Sequence, residues 1–283
     1  MSGFRFVDTE WMRTMPKPPK ALSPDQSLTA YFGFEVRKHR EYVKLSQSEL
    51  ADRLHWAKSA VGNLETAFRS PTSDHAKDLD TFFATDRFGW LHGLIVREEL
   101  PDFFRPFARR EPDAADIRMF EPLVVPGLLQ IEEYARALLA TDQSPDQLEQ
   151  AVSARMERQK ILNRKEPAPP RLWVVIDEGV LRRQIGGTEV MRKQIAHLLT
   201  MTERHDVTIQ VVPSSVGEYI GLEGGFSILG FDDGADIAYA EAAGGGHMIE
   251  QQKDVARTIT RFELIRARAV SVDESTRLIR EAL

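Results

Sequence analysis

The spacing of apolar residues changes character twice along the chain. From Tyr31 to about Phe83 they recur every three or four positions in short runs, each broken after a few residues, and this predicts several short helices. Residues 87–118 mix helical spacing with Pro101, Pro106 and Pro112 and read as a connector. Helical spacing returns over Gly127–Ala140 and Pro145–Leu162, and Glu166-Pro167-Ala168-Pro169-Pro170 ends it. Leu172-Trp173-Val174-Val175-Ile176 then reads as a buried strand. Val207–Val212 alternates apolar and polar, Phe226–Phe231 and Ile237–Ala240 read as a pair joined through Asp232-Asp233-Gly234, and His247–Glu250 as a last strand. Thr188–Arg204, Gln251–Ala269 and Asp273–Ala282 are predicted helices. Helices and strands are only partly interleaved, so the expected class is α+β: an all-α N-terminal domain and a larger α+β C-terminal domain. The division read from the pattern is a Pro-rich extended arm over 1–30, a helical domain over 31–86, a connector over 87–120 and the α+β domain over 121–283.

Composition narrows this picture. A chain of 283 residues, 42% hydrophobic and 28% charged, suits two globular domains. No apolar run approaches the roughly 18 residues needed to span a bilayer, and Met1–Glu10 lacks a basic stretch followed by an apolar one, so neither membrane nor secretory leader is expected. Zero cysteines exclude disulfides and thiolate metal sites and fit a cytoplasmic protein. Net charge is −6, which by itself speaks against nucleic acid, but it is unevenly spread. Tyr31–Thr72 holds seven basic residues (Arg37, Lys38, Arg40, Lys44, Arg53, Lys58, Arg69) against five acidic ones, a mildly basic head on an acidic body.

The head carries a recognisable arrangement. Ser46 followed three residues later by Glu49 is a capping-box signature that opens a helix over Gln47–Leu54, with Leu50, Ala51 and Leu54 on one face. A tight turn with His55 and Trp56 leads into a second short helix from Lys58 to Thr66, with Val61 and Leu64 inward and small Ala51 at the crossing. Two short helices joined by a tight turn form a helix-turn-helix, whose second helix fits the major groove of DNA. Its outward positions are Lys58, Ser59, Gly62 and Asn63; lysine donates to guanine O6 and N7, and asparagine pairs bidentately with adenine. Gln47, in the first turn of the preceding helix, is placed to hold a phosphate.

Arg40, Ser46, Gln47 and Glu65 resemble the phage-repressor (XRE) class of helix-turn-helix, in which an arginine lies seven residues before the glutamine and a glutamate eighteen after it. The resemblance implies a structural ion pair between Arg40 and Glu65, phosphate contacts from Gln47 and Arg69, and base contacts from Lys58, Ser59 and Asn63. The turn often has glycine where His55 stands. Serine usually caps the recognition helix where Ala57 stands, a difference of roughly 1 kcal/mol, and Gly62 in mid-helix costs about as much relative to alanine. The body resembles the WhiJ-like group of actinobacterial regulators through Val125-Pro126-Gly127-Leu128-Leu129-Gln130, Tyr134-Ala135-Arg136-Ala137, Pro170–Glu178, Leu181-Arg182-Arg183, Val211-Val212-Pro213 and Leu278–Leu283. This resemblance implies a transcriptional regulator, some of whose relatives are antitoxin-like, often beside a small protein encoded nearby. The expected partners are double-stranded DNA and a second copy of the chain on an inverted repeat, with a small protein or small molecule at the body. The alternative is an antitoxin-like module that neutralises a small partner through the body.

No enzymatic reading emerges. Asp177 and Glu178 after a strand read as helix caps, Asp232 and Asp233 as a turn, and His197 and His205 lie eight apart, not the four that sets two ligands on one helix face. Gly244-Gly245-Gly246 before His247 has no following lysine of a phosphate loop, and no nucleophile-elbow or zincin motif occurs. Neither cofactor nor metal is expected. Trp173, Phe226, Phe231 and Tyr239 are candidates to line a pocket between sheet and helices. The glycine-rich loop Gly217–Gly225, with Tyr219, is the candidate rim, so Tyr219 and Trp173 are the residues expected on a ligand or partner face.

Overall fold

The computed structural model describes residues 23–141 and 144–283. The chain divides into two compact units, Met1–Gly93 and Leu94–Leu283. It is α+β: the first unit is helical, and the second is built on a six-stranded sheet.

In the first unit, α1 (Leu28–Tyr42), α2 (Gln47–Arg53), α3 (Lys58–Glu65) and α4 (Ser73–Phe83) precede α5 (Arg87–Glu99), within which the boundary between the units falls. The apolar spacing explains the packing. Phe32 and Val36 of α1, Leu50 and Ala51 of α2, Val61 and Leu64 of α3, Leu79 of α4, and Phe88 and Leu91 of α5 are all buried. Gly33 lies where α1 meets α3; a Cβ there would stand 2.2 Å from the Leu64 carbonyl oxygen, so glycine permits the close approach. Helix α1 begins at Leu28, inside the stretch read as an extended arm; residues 1–22 of that arm lie outside the described residues.

In the second unit α6 (Arg105–Arg110) leads into β1 (Asp116–Glu121). The stretch read as a connector over 87–120 is therefore largely structured, and its end is a central strand of the sheet. There follow α7 (Glu132–Leu139), α8 (Pro145–Arg158), β2 (Arg171–Asp177), α9 (Glu178–Arg182), α10 (Thr188–Thr202), β3 (Val207–Val212), β4 (Phe226–Gly230), β5 (Ile237–Ala240), β6 (His247–Ile249), α11 (Gln252–Arg266) and α12 (Val272–Glu281). Strand order is β3-β2-β1-β4-β5-β6. β1, β2 and β3 run parallel, β4 pairs antiparallel with β1, and β4 to β6 form an antiparallel meander.

Side chains alternate between two cores, as the pleat requires. Ile117, Met119, Val174, Ile176, Ile209 and Leu229 face the larger core with Tyr134, Ile195, Leu198 and Ile279 from the helices. Phe120, Val175, Val212, Phe226 and Ile228 face Phe262 and Ile265 of α11. Residues 125–131 have little secondary structure, and side-chain amides, two of them buried, supply hydrogen bonds to them. Gln130 donates to the Val125 carbonyl (2.7 Å), Gln159 to the Gly127 and Gln130 carbonyls (2.8 and 2.7 Å), and Gln194 to the Leu129 carbonyl (2.8 Å). No helix among the described residues is long and apolar enough to cross a membrane.

Candidate nucleic-acid interface

The α2–turn–α3 segment is set by local chemistry first. Ser46 Oγ accepts from the Glu49 amide (3.2 Å) and Glu49 Oε2 accepts from the Ser46 amide (2.7 Å), which closes the capping box that opens α2. The Ser46 bonds also hold the Glu49 carboxyl below its usual proton affinity. His55 opens the turn with φ at +57°, a left-handed conformation that glycine adopts more readily. Ala57 precedes α3 with no side-chain cap.

Beneath this surface lies a charged knot. Glu65 is fully buried and accepts from Arg40 Nε (2.5 Å) and Nη2 (2.9 Å), from Gln47 Nε2 (2.8 Å) and from Arg37 Nε (3.4 Å). Arg40 uses its remaining fork nitrogen on the Leu45 carbonyl (2.8 Å). Its bonds to Glu65 outweigh burial and raise its proton affinity. One carboxylate thus fastens α1, α2 and α3 together. Arg37 and Gly33 belong to this assembly and were not singled out from sequence; the only sequence signal for Gly33 is a glycine in the middle of an amphipathic helix. Gln47, expected to hold a phosphate, has its amide nitrogen engaged on Glu65, because α2 begins directly over the buried carboxylate.

On the outer side of α3, Lys58 and Ser59 are exposed and Asn63 is half-buried, one helical turn on. Gly62, read as outward, is half-buried against Gln47: a Cβ there would stand 3.5 Å from Gln47 Oε1. Arg69 is exposed beside Phe68, whose ring is 74% exposed just past the helix. α4 opens with a second capping box, Thr72 with His75, which sequence reading passed over because histidine takes the place of the usual glutamate. His75 packs against Trp56 with the rings tilted by 60° (4.5 Å between centres), and Trp56 Nε1 donates to Asp78 (2.9 Å), which braces the turn against α4.

The candidates in the second unit are not brought together. Trp173 and Phe226 point to the α11 side of the sheet, whereas Tyr239 and Phe231 lie on the opposite side, so the four cannot line one pocket. The alternation of the strands separates them. The Arg266 guanidinium lies over the Trp173 ring, 4.9 Å from its centre, and leaves the residue 39% exposed. Tyr219 is packed rather than free at a rim: its hydroxyl donates to Asp177 Oδ2 (2.9 Å) and its ring meets Phe120 edge-on. Tyr219 reaches β2 at Asp177, four residues along the strand from Trp173, which is about 13 Å of strand rise. Asp177 also caps α9 through the Gly179 amide (2.8 Å), and Glu178 accepts from the Ser214 amide (2.8 Å).

Sequence reading also missed a group of charges near the end of β1. Burial, reinforced by the nearby Glu241, pushes the Glu121 carboxyl well above its usual proton affinity. Burial pulls the Arg155 guanidinium down to about 10. Arg155 donates to Gln130 (2.9 Å), and Arg158 forms a two-pronged pair with buried Glu111 (2.7 and 2.8 Å).

The second unit is thus a mixed-sheet α+β domain whose helices cover both faces. Residues 104–281 match a family described as a domain of unknown function, DUF5753, and the chain belongs to that family. No curated protein and no solved structure matches it. The match begins beyond α5, so the helices around Glu65 lie outside it.

Proposed function

We propose that this chain is a sequence-specific, DNA-binding transcriptional regulator of XRE type. It acts as a homodimer on an inverted repeat, and its second unit senses a signal or binds a small partner protein. The observation that carries this reading is the rigid α2–α3 pair, locked by Arg40, Gln47 and Glu65, with Lys58 and Ser59 left exposed on the outer face of α3. A short helix held firmly and bearing donors is suited to the major groove. Lys58, Ser59 and Asn63 are assigned to bases. Arg69 and the second amide hydrogen of Gln47 are assigned to phosphates. Two such heads bind half-sites about 34 Å apart.

The test is fluorescence anisotropy with DNA from upstream of the protein's own gene, with scrambled competitor, at two salt concentrations. Tight binding that survives competitor is expected. Asn63→Ala should relax preference at one base position by about 1–3 kcal/mol, whereas Arg69→Ala should weaken all sequences alike and flatten the salt dependence. Binding that is indifferent to sequence, or untouched by both substitutions, refutes the assignment.

A further inference from the structure

The solvent face of α11 carries two parallel stripes. Lys253, Arg257 and Arg261 recur every four residues, and so do Ala256, Thr260 and Leu264 beside them. Together with Ile220, from the loop after β3, these residues line a shallow concavity of about 390 Å³. Leu264 is 53% exposed and Ile220 40%, and Leu222, two residues on from Ile220, is 62% exposed. The Thr260 hydroxyl is already engaged on the Ala256 carbonyl (3.0 Å), so the second stripe demands no polar partner. The far wall is fixed: Arg261 donates to the Ile220 carbonyl and to Glu223 Oε2 (both 2.6 Å), and Tyr219, next to Ile220, is anchored on Asp177.

We propose that this groove docks an acidic amphipathic helix of a partner protein. The proposal deepens the partner-binding role of the second unit and does not depend on the DNA reading. Small residues at 256 and 260 let another helix approach closely, with Leu264 and Ile220 as apolar anchors. The stripe of three cations calls for carboxylates on the partner. The carboxylate now paired with Arg257, Asp254 (3.1 Å), sits at the surface, where such pairs are weak and exchangeable, whereas the Arg261–Glu223 pair stays with the wall. Charge argues against the other occupants. A second copy offering the same face would set cation against cation. Residues 1–22 of this chain carry Arg5, Arg13, Lys17 and Lys20 against only Asp8 and Glu10. DNA would meet the cations but leave the leucines and isoleucine without apolar contact.

The test places the photocrosslinker p-benzoylphenylalanine at Leu264 of the full chain in cells that naturally produce it, and sequences the cross-linked peptide. The expected product is an adduct to another protein, through a segment with aliphatic residues spaced by three and four and carboxylates alongside. Combining Lys253→Glu with Arg257→Glu should lower the adduct yield about tenfold, as loss of roughly 1.4 kcal/mol implies. No adduct, an adduct to a second copy or to residues 1–22, or a yield indifferent to the charge reversals each overturns the proposal. Anisotropy with the upstream DNA is run on the same charge-reversed protein: unchanged affinity is expected, and a loss there would make DNA the occupant and overturn the docked helix. Failure of DNA binding in the wild-type chain would instead refute only the regulatory reading of the head.

Discussion

Replacing Glu65 with alanine removes the common acceptor of Arg40, Gln47 and Arg37 while leaving the Arg40 guanidinium in place, only 8% exposed. Breaking a buried pair by deleting one partner typically costs about 3–5 kcal/mol, because the other charge is stranded away from water. A unit of roughly 70 residues holds about 4–10 kcal/mol in total, so the loss takes up much of its stability. At a urea slope of ~1.5 kcal/mol per molar, a loss of ~4 kcal/mol lowers the midpoint by ~2.5 M. The assay is tryptophan fluorescence in a Trp11→Phe, Trp173→Phe background, which leaves Trp56 and Trp90 of the first unit as reporters. Combining Arg40→Met with Glu65→Leu removes both charges and should recover most of the loss, since apolar replacement of a whole pair is often neutral. A single-variant shift under ~0.5 M, or a double variant no more stable than the single one, would refute the reasoning.

Two glycines in the same unit should respond oppositely to alanine. Gly33→Ala places a methyl 2.2 Å from the Leu64 carbonyl oxygen and should destabilise by about 1–3 kcal/mol. Gly62→Ala meets only ordinary contact at 3.5 Å and should stabilise by up to about 1 kcal/mol; both are read by urea unfolding. For Glu121 the folded chain holds a proton more tightly than the unfolded one. That stability is therefore fully present below the usual value of 4.5 and is lost as pH rises through the raised one. Glu121→Gln should accordingly raise the urea midpoint of the second unit at neutral pH, by an amount that shrinks on acidification; an advantage that grows on acidification would contradict the sign.

The parts of the fold that were legible in the sequence are those whose signal is local. The Ser46–Glu49 box and the apolar spacing around Leu50 and Val61 locate α2 and α3 within a residue or two. Unbroken apolar runs and period-two alternation locate β2 to β5. β1 was hidden because three of its six residues, Asp116, Arg118 and Glu121, are charged. Asp116 and Arg118 pair with each other (3.1 Å), and only the neighbouring strands on both sides identify the segment as central. The proposed aromatic pocket failed for a simple reason: residue type says nothing of which sheet face a side chain takes until register is known. Tyr219 was placed on a pocket rim because its loop is rich in glycine, yet Gly221 is what lets its ring meet Phe120; a Cβ at Gly221 would stand 2.3 Å from the Tyr219 ring.

The position of β1 in the sheet bears on how the chain matures during synthesis. The helices of the first unit contact partners close in sequence, so that unit can close soon after Gly93 leaves the ribosome. β1 is made early in the second unit, but one of its two neighbours, β4, begins only at Phe226. At about 5–20 residues per second, a separation on the order of 100 residues leaves one side of β1 unpaired for roughly 5–20 seconds. During that interval Phe120 and Met119 sit on an open strand edge, the state most prone to joining another nascent chain. Slowing translation across the stretch before β4 should therefore lower the yield of folded protein, whereas slowing it within α12, after β1 has both neighbours, should leave the yield unchanged.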